Sequence, residues 1–368
     1  MRSATEITLE IDSSPANVRA GYQEDGPVSA PPAAPRMLIR RFHAGYFRIG
    51  MSLGGQVLLW KTVAGAGGRG GHETPVLVLW CVAFLVILVL SLVYLLRCLL
   101  DFRMVEYEFL HHVGVNYLFA PSISWLLLLQ SAPFLAPLAP PYKILWSLFA
   151  IPVLLLDVKI YGQWFTKGRR FLFCVANPTS QLSVIGNLVG AQAAGRMGWK
   201  ESGMCLFSLG MVHYLVLFVT LYQRSSGADR LPSMLRPVFF LYIAAPSVAS
   251  LAWESITGAF DAASKMLFFL SLFLFTALVQ VFKFSSMKRF NIAWWAFSFP
   301  LSALALASIE YHHQVRALPA KILMFLLLGL SVFVIVSLVA ATLLNSDMLL
   351  RDDDPLLNGG VEPHRRDT

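Results

Sequence analysis

Charged residues make up 14% of this 368-residue chain and hydrophobic ones 57%, whereas an ordinary soluble domain is about 25% charged. That shortage, with a mean hydropathy of +0.63, excludes a soluble globular protein. Cysteine is also scarce. Cys81, Cys98, Cys174 and Cys205 show no CxxC spacing, so neither a zinc site nor a disulfide framework is indicated, and they read as small apolar residues. No nucleophile elbow, P-loop or kinase signature occurs, which leaves no enzymatic chemistry or cofactor to assign. Residues 1–41 hold no apolar signal-peptide core and are rich in Pro, Ala, Ser and charge, so a disordered cytosolic tail is expected there.

The chain has apolar runs of membrane length instead. A hydrocarbon layer about 30 Å thick is crossed by roughly 20 apolar residues in a helix. Such runs fall at 42–63, 75–99, 115–132, 142–161, 178–195, 203–223, 236–253, 263–283, 292–310 and 321–344. This predicts an all-α membrane protein of ten transmembrane helices arranged as five hairpins, with the membrane domain over 42–345 and a cytosolic C-terminal tail at 346–368. With the N-terminus inside, sixteen Lys and Arg flank the cytosolic helix ends against eight on the opposite side. The positive-inside rule then places both termini in the cytosol. The formal charge of +8 is accounted for by this asymmetry and by attraction to anionic lipid, without nucleic acid.

The spans are of two kinds. Even-numbered ones are Leu, Val and Phe sequences suited to facing lipid. Odd-numbered ones carry small and polar residues: Gly50, Ser52, Gly54; Ser122; Thr179, Ser183; Ser247, Ser250; Ser302. Four of the odd spans also carry a proline after an apolar run, Pro121, Pro178, Pro246 and Pro300, spaced 57, 68 and 54 residues apart. A proline within a helix frees a carbonyl that lipid cannot solvate, so each bend is expected to face other helices or water. Small and polar residues also mark ordinary tight helix packing. Their recurrence in alternate spans, next to proline, favours a central pore lined by these residues.

Four of the odd spans are uncharged. Residues 115–132, 178–195, 237–253 and 291–309 contain no Asp, Glu, Lys, Arg or His, and proton-coupled carriers place ionisable groups at that depth. Asp157 and His213 lie in even spans. Basic residues crowd the cytosolic ends, among them Arg48, Arg169 and Arg170, and would concentrate anions at the mouth of a neutral pore. Helix ends and freed N–H groups add positive potential without holding an ion tightly. Easily dehydrated anions such as nitrate should then compete well with chloride.

Other motifs carry less. GAGGRGG at 65–71 contains a GxGxxG match, but it joins two spans and lacks the preceding strand of a dinucleotide site. His111–His112 and His312–His313 lie near acids, yet adjacent histidines on one helix diverge, so no metal is assigned. Phe299 precedes Pro300 and is one of 27 phenylalanines, so composition alone assigns it to packing.

FHAGYFRIGMSLGGQVLLWK (42–61), VNYLFAP (115–121), KIYGQW (159–164), VANPTSQLSVIGN (175–187), HYLVLFVTLYQR (213–224), IAAPSVASLAW (243–253) and AWWAFSFP (293–300) together resemble the plant slow-type anion channels, relatives of bacterial tellurite-resistance and dicarboxylate-transporter proteins. The opening motif and short tails are most similar to the short-tailed branch. The resemblance implies five hairpins around a quasi-fivefold axis, odd helices inside, one pore per subunit and a trimer in the plasma membrane. It further implies that the phenylalanine before the ninth-helix proline, here Phe299, occludes the pore, and that chloride and nitrate pass when it moves. Long-tailed members are opened by protein kinases. The short tails here, with Glu106 and Glu108 in DFRMVEYEFLHH, are also compatible with a silent subunit that joins related channel subunits. A secondary carrier for organic anions such as malate is the alternative suggested by the bacterial relatives.

Overall fold

The computed structural model describes residues 42–66, 73–111, 113–167, 177–225, 233–281 and 290–345. The predicted tails, the GxGxxG loop beyond Ala66, His112, Cys174 and the basic pair Arg169 and Arg170 lie outside the described residues. Within them the chain forms helices α1 (Phe47–Ala66), α2 (Glu73–Leu100), α3 (Phe102–Leu110), α4 (Gly114–Tyr117), α5 (Phe119–Ser131), α6 (Pro140–Lys167), α7 (Gln181–Arg196), α8 (Lys200–Ser225), α9 (Leu241–Thr257), α10 (Ala262–Val281), α11 (Ser298–Val315) and α12 (Leu318–Leu344).

Helices α1, α5, α7, α9 and α11 pack side by side, and α11 returns against α1, closing a ring of five. Each is backed by the long helix that follows it: α2, α6, α8, α10 and α12 respectively. The burial pattern divides the two sets. The span Ile292–Val315 is 94% buried and Pro237–Thr257 78%, whereas Thr74–Leu100, Ala262–Gln280 and Leu318–Leu344 are each only 17% buried. The outer helices turn Leu85, Leu99, Leu155, Phe273, Phe333 and Leu343 outward. A soluble protein rarely exposes so much contiguous apolar surface, and lipid is the solvent that accepts it. Among the described residues seven helices are long and apolar enough to cross a membrane, or eight if the bent pair Phe102–Leu110 and Gly114–Ser131 counts as one. The chain is a multi-pass helical membrane protein. The inner helices α1 and α7 escape that hydropathy test because their small and polar residues are satisfied by protein rather than lipid.

Every inner helix is entered through a short turn: Ala44–Tyr46, α4, Pro178–Ser180, Ser233–Phe240 and Ile292–Phe297. Three of these entries are capped by a side chain. His43 accepts from the Gly45 N–H, Asn177 from the Thr179 N–H within a capping box, and Asn291 from the Ala293 N–H. Asparagine is favoured there because its side-chain oxygen replaces the missing helical acceptor. The prolines fit this arrangement in two ways. Pro178 opens its turn, where it has no helical bond to lose, and Pro121 and Pro300 are each the third residue of an α-helix that continues from its entry turn. In those spans the entry turn gives way to α-helix two residues before Pro121 and Pro300. Pro246 is inside α9, where it does remove a helical bond. The Ser271 hydroxyl of α10 donates to the nearby Ile243 carbonyl at 2.8 Å, supplying a polar partner beside that interruption.

Candidate functional site

The interior of the five-helix ring is the part of the molecule that the sequence singled out. Phe299 lies in the first turn of α11 and is 3% exposed. Its Cδ2 would be 3.3 Å from a β-carbon at Gly55, so the ring presses on α1 where α1 offers no side chain. Glycine at 55 makes that approach possible.

The small and polar candidates are all on the inner helices or their entry turns, and most are engaged between helices. Gly50 faces α5: a β-carbon there would be 2.9 Å from Ser124 Oγ. Gly54 meets Leu127 Cβ at 3.0 Å on the same basis. The Ser52 hydroxyl donates to the Trp295 carbonyl at 3.1 Å, tying α1 to the entry of α11. Ser183 is 3.1 Å from His213 Nδ1 on α8. Ser247 bonds to Ser271 of α10, and Ser250 donates to the Ser264 carbonyl at 2.7 Å. Thr179 donates its N–H to Asn177 Oδ1 at 2.9 Å. Ser122, 8% exposed, is the most accessible of these hydroxyl residues. With Gly50 and Gly54 toward α5, Leu53 and Val57 packed with α2 residues, and Ser52 toward α11, the helical repeat of 100° per residue leaves Met51 and Leu58 on the remaining face of α1. Both are 1% exposed.

Two polar clusters were not legible beforehand. Gln56 Nε2 donates to Ser302 Oγ at 3.0 Å and to Ser331 Oγ at 2.7 Å, joining α1, α11 and α12 where the ring closes. A Gln among Gly, Val and Leu in an apolar span is the signal that could have revealed it. At the N-terminal end of the ring, Arg97 Nη1 donates to Glu108 Oε2 at 3.0 Å and the Ala44 N–H donates to Glu108 Oε1 at 2.8 Å. Glu108 thus caps the chain entering α1, while Glu106 on the same helix is exposed. Asp157, 3% exposed on α6, accepts from Asn187 Nδ2 at 2.6 Å.

Arg48 sits one residue into α1, 2% exposed, with its guanidinium carbon 4.6 Å from the centre of the Tyr117 ring. At the far end, Lys61 Nζ donates to the carbonyls of Gln130 and Ala132, at 3.0 and 2.8 Å, satisfying the C-terminus of α5. Among the described residues no group of three His, Cys, Asp or Glu side chains is placed to hold a metal ion.

A closed ring of five short inner helices, each backed by a lipid-facing partner, defines a helical membrane protein of the channel or carrier type. Residues 41–343 match the family described as voltage-dependent anion channel, SLAC1, and the chain belongs to that family. It is 50% identical over 368 residues to the S-type anion channel SLAH1 of Arabidopsis thaliana, covering 97% of this chain and 94% of that protein. It is likewise 50% identical over 357 residues to S-type anion channel SLAH4 of the same plant, covering 95% and 96%. More distantly, it is 28% identical over 135 residues to a tellurite resistance protein TehA homolog of Haemophilus influenzae, covering 36% of this chain and 40% of that one.

Proposed function

We propose that this protein is an anion channel that passes chloride and nitrate down their electrochemical gradients across the plasma membrane, with Phe299 as its gate. The observation that carries the reading is the burial of the Phe299 ring on inner helix α11, against the bare backbone of Gly55 on α1. The names of the S-type relatives support the ion class. On this reading the inner and outer helices make ten crossings, both termini lie in the cytosol, and Arg48, Arg169 and Arg170 draw anions to the cytosolic mouth. Subunits assemble as a homotrimer or with related channel subunits, under control of a protein kinase.

A ring that favours the closed position by about 3 kcal/mol holds opening down more than a hundredfold. Two-electrode recording in oocytes tests the proposal. Phe299→Ala should give a steady current that reverses at the chloride or nitrate equilibrium potential and grows linearly with driving force. Silence of that variant, with its presence at the surface verified, refutes the gate.

A second reading, proton-linked carriage of organic anions such as malate, draws on the buried carboxyl of Asp157. It requires a flux that saturates with substrate and follows the proton gradient.

A further inference from the structure

Arg48 is buried, and among the described residues none of its three side-chain nitrogens Nε, Nη1 and Nη2 meets a protein acceptor. Buried cations are strongly unfavourable without a counter-charge. The nearby carboxylate on α3 is committed elsewhere, because both oxygens of Glu108 are taken by Arg97 and the Ala44 N–H. The backbone donors at the start of this segment are occupied too. The Gly45 N–H donates to His43 Nδ1 at 3.1 Å and the Tyr46 N–H to the His43 carbonyl at 3.1 Å. In this segment it is therefore the side chain of Arg48, and not the Gly45 or Tyr46 N–H, that has donors to offer an ion.

The geometry also selects the shape of the ion. Tyr117 lies over the guanidinium at 4.6 Å and is itself fully buried and stacked on His43 at 5.6 Å. A guanidinium offers its N–H donors along its edges, in its own plane, as a fork. A planar oxyanion presents two oxygens to such a fork, whereas chloride presents a single centre.

We propose that Arg48, backed by Tyr117, is an anion-binding residue at the N-terminal end of the inner ring, and that it holds a small planar monoanion such as nitrate in a two-point contact in preference to chloride. This rests on the channel reading only in supposing that anions reach the ring. It adds the residue that meets them and the ion shape it favours.

The test is thermal unfolding of the purified full chain in nanodiscs, titrated with sodium nitrate, sodium chloride or sodium gluconate at constant ionic strength. The wild type should show a saturable rise in melting temperature with nitrate at about tenfold lower concentration than with chloride, the worth of roughly one extra charge-assisted hydrogen bond, and no saturable rise with gluconate. Arg48→Gln should remove the difference among the salts. Arg48→Lys should keep a response to both small anions but bring their concentration ranges together. A wild type that responds alike to all three salts, or a nitrate preference that survives in Arg48→Gln, overturns the proposal. If Arg48→Gln does not fold, the Lys variant decides: loss of the nitrate preference supports the fork and its retention refutes it. Recording Phe299→Ala alongside separates the two readings. Nitrate binding through Arg48 without current keeps the site and refutes the Phe299 gate, while current without Arg48-dependent binding keeps the gate and refutes the site.

Discussion

Gly195 stands where α7 crosses α9, and the substitution Gly195→Ala measures how tightly the ring is drawn. A β-carbon at 195 would lie 2.5 Å from Ser255 Oγ and 2.7 Å from both the carbonyl carbon and oxygen of Ser255. Non-bonded carbon atoms relax at about 3.5–4.0 Å, so the two helices must separate by roughly 1 Å at that level. The hydroxyl can rotate away, but the carbonyl is part of helix α9 and cannot. Overpacking of this kind costs about 1–3 kcal/mol, and the upper end is expected because the displacement passes to the neighbouring members of a closed ring. Gly190→Ala is the matched control. It is on the same helix, and its β-carbon would meet only Leu206 Cδ1, a flexible side-chain end, at 3.2 Å. The better helix propensity of alanine, worth about 1 kcal/mol over glycine, then offsets a small rearrangement. At roughly 2–4 °C per kcal/mol, the melting temperature of the detergent-solubilised protein should fall by several degrees in Gly195→Ala and stay within about 2 °C of wild type in Gly190→Ala. Equal melting temperatures for the two variants would refute the close α7–α9 crossing.

Three further predictions concern the ring and its ends. Phe297 is buried, with its ring 4.6 Å from that of Phe240. Phe297→Ala should lose about 3–5 kcal/mol of stability yet give no current in oocytes, and a current equal to that of Phe299→Ala would mean that loosening alone opens the protein. Glu108→Leu should cost about 3–5 kcal/mol by leaving Arg97 buried and unpaired, and adding Arg97→Met should recover most of the lost melting temperature. No recovery would show that the carboxylate matters chiefly as the acceptor for the Ala44 N–H. Asp157→Asn, measured in the Phe299→Ala background, should leave the reversal potential unchanged and independent of bath pH, whereas a proton-linked carrier would lose its pH-driven flux.

Much of the architecture was legible before any coordinates. The spacing of apolar runs, the recurrence of Pro121, Pro178, Pro246 and Pro300 in alternate spans, and the lack of charge in those four spans are all local properties. Hydrophobicity decides locally whether a segment faces lipid, and for that reason the division between apolar outer helices and small-residue inner ones agrees with their burial. The motifs that carried the family resemblance are likewise contiguous stretches of sequence. The closure of the ring was not legible, because it depends on α11 meeting α1 through Gln56, Ser302 and Ser331, residues up to 275 positions apart.

Sequence by itself determined which helices belong inside and which outside, since propensity and solvent preference act over a few residues. Tertiary structure decided which way each inner helix is turned about its own axis. A serine in an apolar helix reads the same whether its hydroxyl faces a lumen or a neighbour, and only the close contacts at Gly50, Gly54 and Gly55 set the rotation that sends Ser183, Ser247, Ser250 and Ser302 toward adjacent helices. Arg48 illustrates the same division. Its position near the N-terminal end of the first span is read from the sequence, but its burial beside Tyr117 arises only when the entry to the second inner helix folds over the first.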